Sequence, residues 1–450
     1  MLGILQQALF IIALVVTGFF VARRVGIIAK TINLGRDEDR SDQPGERLKI
    51  MLLVAFGQKK MFANPTVALL HLVIYLGFII INVEILEIIL DGILGSHRLF
   101  APYLGGVYPF LINVFEILAF GVLVTCIAFL ARRWVTKVSR LQPERHRELR
   151  RWPVTDATLI LGIEIFLMVA FLTWNASDGT LRQRGVAHYN VAGVPDFFIS
   201  QWLMPAFKNW STSGLIAYER IAWWAHILGI FAFAVYVTYS KHLHIVIAFP
   251  NVYFSRLIPK GEMQNMPEVT TEVKIMLGLA QPETPPADAP ETPAPGKFGA
   301  KDVMDLSWKN LMEAYSCTEC GRCTAACPAN LTGKKLSPRK IMMDTRDRLE
   351  DVGRNLQTNG GSFKDDGKTL LGDYILDEEL RACTSCNACV QECPVNINPL
   401  DIIYQLRRYR VMEESLAPGQ WNAMFSNLEN NQAPWKFSPA DRFNWADGLK

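Results

Sequence analysis

Nine cysteines stand in this chain of 450 residues, and eight of them fall into two short runs. The first, CTECGRCTAACP, places Cys317, Cys320, Cys323 and Cys327 before Pro328; the second, CTSCNACVQECP, places Cys383, Cys386, Cys389 and Cys393 before Pro394. Both have the spacing C-x2-C-x2-C-x3-C-P, in which four thiolates hold a [4Fe–4S] cluster and the last cysteine of each run serves the other run's cluster. The spacing predicts one cluster on Cys317, Cys320, Cys323 and Cys393, and a second on Cys383, Cys386, Cys389 and Cys327. Three cysteines at this spacing let a short loop wrap three corners of a cube. The proline stops a helix from carrying the fourth thiolate away. Zinc sites use pairs of two-cysteine knuckles instead. A disulfide framework needs an oxidising compartment, which the charge pattern below excludes. Cys126 lies alone in an apolar stretch and reads as packing.

The elements that must position these runs begin in the membrane. Half of the residues are hydrophobic, and five apolar stretches, near 3–22, 65–90, 108–131, 156–174 and 220–249, have the length of membrane helices. The formal net charge of +3 hides a clustering of basic residues beside these stretches. That clustering signals topology rather than a nucleic-acid partner. The first stretch has no charge before it and Arg23, Arg24 and Lys30 after it, the reverse of a cleavable signal peptide. It reads as a retained helix with its N-terminus outside. Positive-inside counting places 23–60 and the loop 132–151 in the cytoplasm, as a basic platform, and 91–106 and 174–218 outside. The expectation is a multi-pass protein of the inner (cytoplasmic) membrane, with everything after the fifth helix in the reducing cytoplasm. The fold class expected is all-α: a five-helix cytochrome b-like bundle over 1–255, then a helical ferredoxin over 300–415. A Pro/Ala-rich linker over 256–299, extended at 278–297, joins them, and a Trp-rich docking tail over 416–450 follows.

Histidines fall where a haem b could be held. His226 and His244 are eighteen residues apart, five turns of a continuous helix, which puts them on one face roughly 27 Å apart. His242 then points to nearly the opposite face. His71, near the cytoplasmic end of the second stretch, is level with His244, and bis-histidine ligation across two helices suits a haem in a bundle. His226 lacks a partner on the second helix, and His97 in an outer loop is the candidate. Membrane carboxylates are costly and usually functional. Glu84 and Glu116 are the candidates to pass protons to or from a quinone, while Glu87 and Glu164 read as a snorkelling and a hydrogen-bonded acid.

The five-helix segment resembles the haem-b gamma subunit of respiratory nitrate reductase, chiefly in the His226/His244 spacing around SKHLHI. It departs where that family carries a second ligand on helix 2, since this chain has Ile81. WKNLMEAYSCTECGRCTAACPA, TGKKLSP and ACTSCNACVQECP resemble the two-cluster ferredoxin component of heterodisulfide reductase. The order of the two parts resembles membrane Fe–S oxidoreductases of the heterodisulfide reductase-like and electron-transfer-flavoprotein:menaquinone oxidoreductase type. NLENNQAPWKFSPADRFNW resembles the segment that precedes a cysteine-rich CCG region in those fusions. The resemblance implies electron transfer between a cytoplasmic donor and the quinone pool through two clusters and one or two haems b. It implies a separately encoded CCG-type Fe–S subunit and an electron-transfer flavoprotein as partners. The alternatives are quinol oxidation for a heterodisulfide or sulfur reductase, and a non-catalytic Fe–S anchor or redox sensor.

Overall fold

The computed structural model describes residues 2–259, 261–281 and 297–449, and the described chain is all-α. Five helices are long and apolar enough to cross a membrane: α1 (Leu2–Ile32), α2 (Pro65–Leu94), α3 (Val107–Trp134), α4 (Trp152–Gln183) and α5 (Thr212–Val237). Beyond them come α6 (His244–Tyr253), α7 (Trp308–Ser316), α8 (Pro338–Thr358) and α9 (Pro399–Arg408).

Local chemistry sets the ends. Asn64 caps α2 by accepting from Val67 N, Pro65 takes the first turn, and Gly95, at φ 71°, closes it by donating to Asp91 O. Ser211 caps α5, Ser337 caps α8 and Asn398 caps α9 in the same way. Two helix pairs meet closely enough to require glycine. A Cβ on Gly77 of α2 would stand 2.6 Å from Val122 of α3, and one on Gly92 would stand 2.6 Å from the Phe10 ring of α1.

Several helix boundaries differ from the sequence reading, α1 for one running to Ile32 rather than near 22, and two of the differences bear on the site. The fourth helix does not stop near Trp174 but runs to Gln183. Its polar last turns are buried because Asn175 and Asp178 find partners on neighbouring elements: Asn175 donates to Glu116 (3.1 Å), and Asp178 pairs with Arg98 (3.3 Å). The expected fifth helix over 220–249 is broken. α5 ends at Val237, Lys241–Leu243 forms a 3₁₀ turn, and α6 starts at His244. Asp156 of α4 captures the break, accepting from Ser240 Oγ (2.7 Å), Tyr236 OH (2.5 Å) and Lys241 N (3.3 Å). The extended Ser240 offers its hydroxyl oxygen to His242 N. A serine that caps a new turn competes with helix continuation. The five-turn argument for His226 and His244 therefore does not hold.

Within 256–299 a helix, Pro267–Met276, stands where the sequence suggested only linker; 282–296 lie outside the described residues. The cluster region sits on one end of the bundle. Ile28 of α1 and Leu243 belong to its apolar core, beside Leu311, Tyr315, Ile341 and Leu349. The segment after α1 joins it through the backbone: Arg36 N donates to Leu306 O (2.7 Å) and Trp308 N to Arg36 O (3.0 Å). In the tail, Gly419–Asn431 is helical, with Arg381 over the Trp421 ring at 5.4 Å, and Trp435 and Trp445 are exposed.

Candidate electron-transfer site

The two cysteine runs fold into the same shape twice. Cys317 (φ −69°, ψ 119°) and Cys383 (φ −71°, ψ 126°) end a preceding helix in extended backbone. Two residues on, Glu319 and Ser385 take φ 56° and 59°, and two further on, Gly321 and Asn387 take 73° and 60°. Alternation of left-handed residues with ordinary ones turns successive N–H groups toward one side, a concavity that suits an anionic group. Ser385 N donates to Cys383 Sγ at 3.4 Å, and Glu319 N does the same for Cys317. Short helices, Arg322–Ala325 and Ala388–Glu392, carry the third cysteine, and the fourth returns to extended backbone before proline (Cys327 φ −75°, Cys393 φ −69°).

Each fourth cysteine lies near cysteines of the other run. Cys323 lies within electrostatic reach of Cys320 and Cys317 and also of Cys393 and Cys389 from the second run, whereas Cys383 and Cys389 lie within reach of Cys327 and Cys386. Burial pushes the Cys317 and Cys389 thiols up to about 12 and Cys393 up to about 11, so binding iron there must release protons. Among the described residues no three histidine, cysteine or carboxylate groups stand close enough to hold a single metal ion. The donor set itself, eight cysteines in two C-x2-C-x2-C-x3-C-P runs on N–H-lined loops, is the set that two [4Fe–4S] clusters take.

The two sets face different surroundings. Arg140 donates to Cys320 O (3.2 Å), Lys60 to Cys393 O (3.1 Å) and Asn251 to Val395 O (2.8 Å), all from the membrane half of the chain. Cys386, in the other set, is exposed. The basic segments that the sequence marks as a platform meet the cluster region through Arg24–Glu350 (2.6 Å), while Glu148 beside them receives the fully buried Arg339 (2.8 Å). Between platform and cluster lies Glu319, paired with both Lys241 (2.5 Å) and Arg346 (2.6 Å). Burial alone would raise its carboxyl, but Arg346 and Lys241 outweigh this and hold it at about 2.

The helix break brings His242 and His244 together, ring centroids 5.4 Å apart, and both within electrostatic reach of His71. A continuous helix would have turned His242 away; the polar run Ser240–Lys241–His242 inside an apolar stretch is the signal of the break. Nδ1 of His71 lies 3.0 Å from Gln58 Oε1, that of His226 3.0 Å from Leu167 O, and that of His244 3.1 Å from Lys241 O. An Nδ1–H given to a carbonyl leaves the Nε2 lone pair for a metal. Burial pushes His242 down to about 4 and His244 down to about 3, so both are neutral, the form that ligates. His71 and the 242–244 turn thus gather three imidazoles at one end of the bundle.

His226 is buried between Phe171 (5.7 Å) and Trp174 (6.4 Å, stacked). The rings facing His97 are His188 (5.2 Å) and Tyr189 (5.3 Å), and its Nε2 is held by Asp178 (3.3 Å). Among the described residues no ring contact joins His97 to His226. At that far end Arg98, 2% exposed, donates to Glu84 (3.1 Å), Asp178 and Asn175 (2.5 Å) and lies 4.7 Å over Trp174. Glu116 accepts from Asn175, from Ile199 N (2.8 Å) and from Ser200. Glu84 Oε2 is buried with no hydrogen-bond partner among the described residues.

These features define a membrane-helix protein carrying a 4Fe-4S dicluster domain. Family models described as 4Fe-4S dicluster domains match residues 316–397 and 287–332. Its homologues are iron–sulfur oxidoreductases. The chain is 28% identical over 445 residues to the probable iron-sulfur-binding oxidoreductase FadF of Bacillus subtilis, covering 92% of this chain and 57% of that one. It is 24% identical over 451 residues to the EtfAB:quinone oxidoreductase of Syntrophomonas wolfei, covering 96% and 57%. Over 184 residues it is 32% identical to the probable membrane-anchored ferredoxin of Chromohalobacter salexigens, covering 38% and 26%. The chain therefore spans little more than half the length of the first two relatives. No solved structure matches it significantly.

Proposed function

We propose that this chain carries electrons between a cytoplasmic donor and the membrane quinone pool. The observation that carries the reading is the seating of the eight-cysteine unit on the same end of the bundle as His71, His242 and His244. Two [4Fe–4S] clusters and a haem b, when bound, supply one-electron carriers. The chain supplies thiolates from Cys317, Cys320, Cys323 and Cys393, and from Cys383, Cys386, Cys389 and Cys327. His71 and His244 are the proposed haem ligands, with His242 beside them. The cluster end lies in the cytoplasm of an inner-membrane protein whose N-terminus is outside, as the basic platform favours. The exposed side of Cys386 and the aromatic tail then face the donor, either an electron-transfer flavoprotein or a CCG-type Fe–S unit. The quinone-oxidoreductase relative supports electrons entering the pool. Of the two carboxylates, Glu84 retains a free oxygen and is the one proposed to exchange a proton with quinone. Glu84→Gln should slow quinone turnover while Glu116→Gln, if folded, should not; equal rates in both would remove Glu84 from the proposal.

The test is a reduced-minus-oxidised optical spectrum with iron and haem quantification on the purified protein. A b-type signal that disappears in His71→Ala and His244→Ala but persists in His242→Ala is the expected result. Cluster iron without haem would sink the quinone reading and leave an Fe–S anchor or sensor.

A further inference from the structure

The two cysteine loops share one backbone shape, and one of the positions at which their sequences differ is telling. Where the second has Ser385, bonded by Arg407 (3.3 Å), the first has Glu319 in the same left-handed conformation. That carboxylate is 3% exposed, and one of its oxygens meets Lys241 of the membrane half at 2.5 Å. Lys241 also donates to Pro153 O at the start of α4 (2.6 Å), and its own carbonyl receives Nδ1–H of His244 (3.1 Å). A single residue therefore touches the loop of one cysteine set, the base of a membrane helix and the imidazole at the start of α6.

We propose that the Cys317/Cys320/Cys323/Cys393 set is the membrane-proximal centre, and that Lys241 and Glu319 form the junction that positions it against the His244 turn. This deepens the electron-transfer reading and rests on its two-cluster assignment, not on quinone chemistry. Lys241 and Glu319 are positioning residues. Their charges also act on the centre beside them: a nearby cation favours the electron-rich state and a nearby anion disfavours it. The Cys386-containing set, on the exposed side, has Arg407 at Ser385 Oγ (3.3 Å) and Cys383 O (2.6 Å) in its place.

The experiment is an EPR redox titration of the full-length, cluster-loaded protein, with Cys320→Ser and Cys386→Ser samples to assign the two signals. Lys241→Met should shift the Cys320-assigned signal to a lower midpoint, and Glu319→Gln should shift it to a higher one. Lys241→Arg should restore the parent midpoint, and the Cys386-assigned signal should stay in place throughout. Shifts of the same sign in both variants, shifts confined to the Cys386 signal, or no shift would overturn the junction. Iron content of each variant separates a lost cluster from a retuned one. Failure of quinone reduction with these shifts intact would count against the quinone reading alone.

Discussion

Cys393→Ser is expected to remove the same cluster signal as Cys320→Ser, although the two residues lie in different runs. Cys327→Ser should correspondingly match Cys386→Ser. Each substitution should cost about half of the cluster iron, since four thiolates serve each cluster. The reason lies in the backbone. Three cysteines of each run sit on one loop and short helix, and the fourth leaves in extended conformation before proline. Cys393 arrives at Cys320 and Cys323, and Cys327 at Cys383 and Cys389. Cys126, buried in α3 far from both runs in sequence, is the control: Cys126→Ser should leave both signals. If Cys393→Ser instead mimics Cys386→Ser, each run holds its own cluster and the crossed assignment is wrong.

Arg98→Met is expected to destabilise the bundle by about 3–5 kcal/mol, the usual consequence of leaving buried charge uncompensated. Arg98 pairs with both Glu84 and Asp178, and all three are at most 2% exposed in their side chains. It also completes the bonding of Asn175, which in turn holds Glu116. Thermal unfolding in detergent, followed by helical circular dichroism, reads the loss. The combination Arg98→Met with Glu84→Gln and Asp178→Asn should recover much of it, because neutral amides in place of the carboxylates leave no charge stranded. A triple variant no more stable than Arg98→Met would show that shape, rather than charge, is at stake.

The cysteine positions were legible because cluster ligation is written in local spacing, and the helical spans because hydropathy accumulates over twenty residues. What escaped depends on contacts between distant parts. Asp156 lies eighty-four residues before Ser240, so nothing within the apolar run 220–249 announces the carboxylate that breaks it, apart from three polar residues in succession. The same break moves His242 from an apparent outer face to the side of His244. Asn175 and Asp178 look like the start of a loop until Glu116 and Arg98 are placed beside them. Glu319, between two ligands, has no signal of its own; its role emerges only when Lys241 is brought to it.

The seating of the cluster region has a consequence for how electrons would travel. Contacts from α1, the segment after it, the 132–151 loop and the 241 turn grip this region on several sides. A domain held this way is not a carrier that swings between partners. In the proposed reading the distances between its centres and the histidines would be fixed at folding, transfer there would be tunnelling through a set medium, and the step left to diffusion would be the arrival of the donor at the Cys386 side.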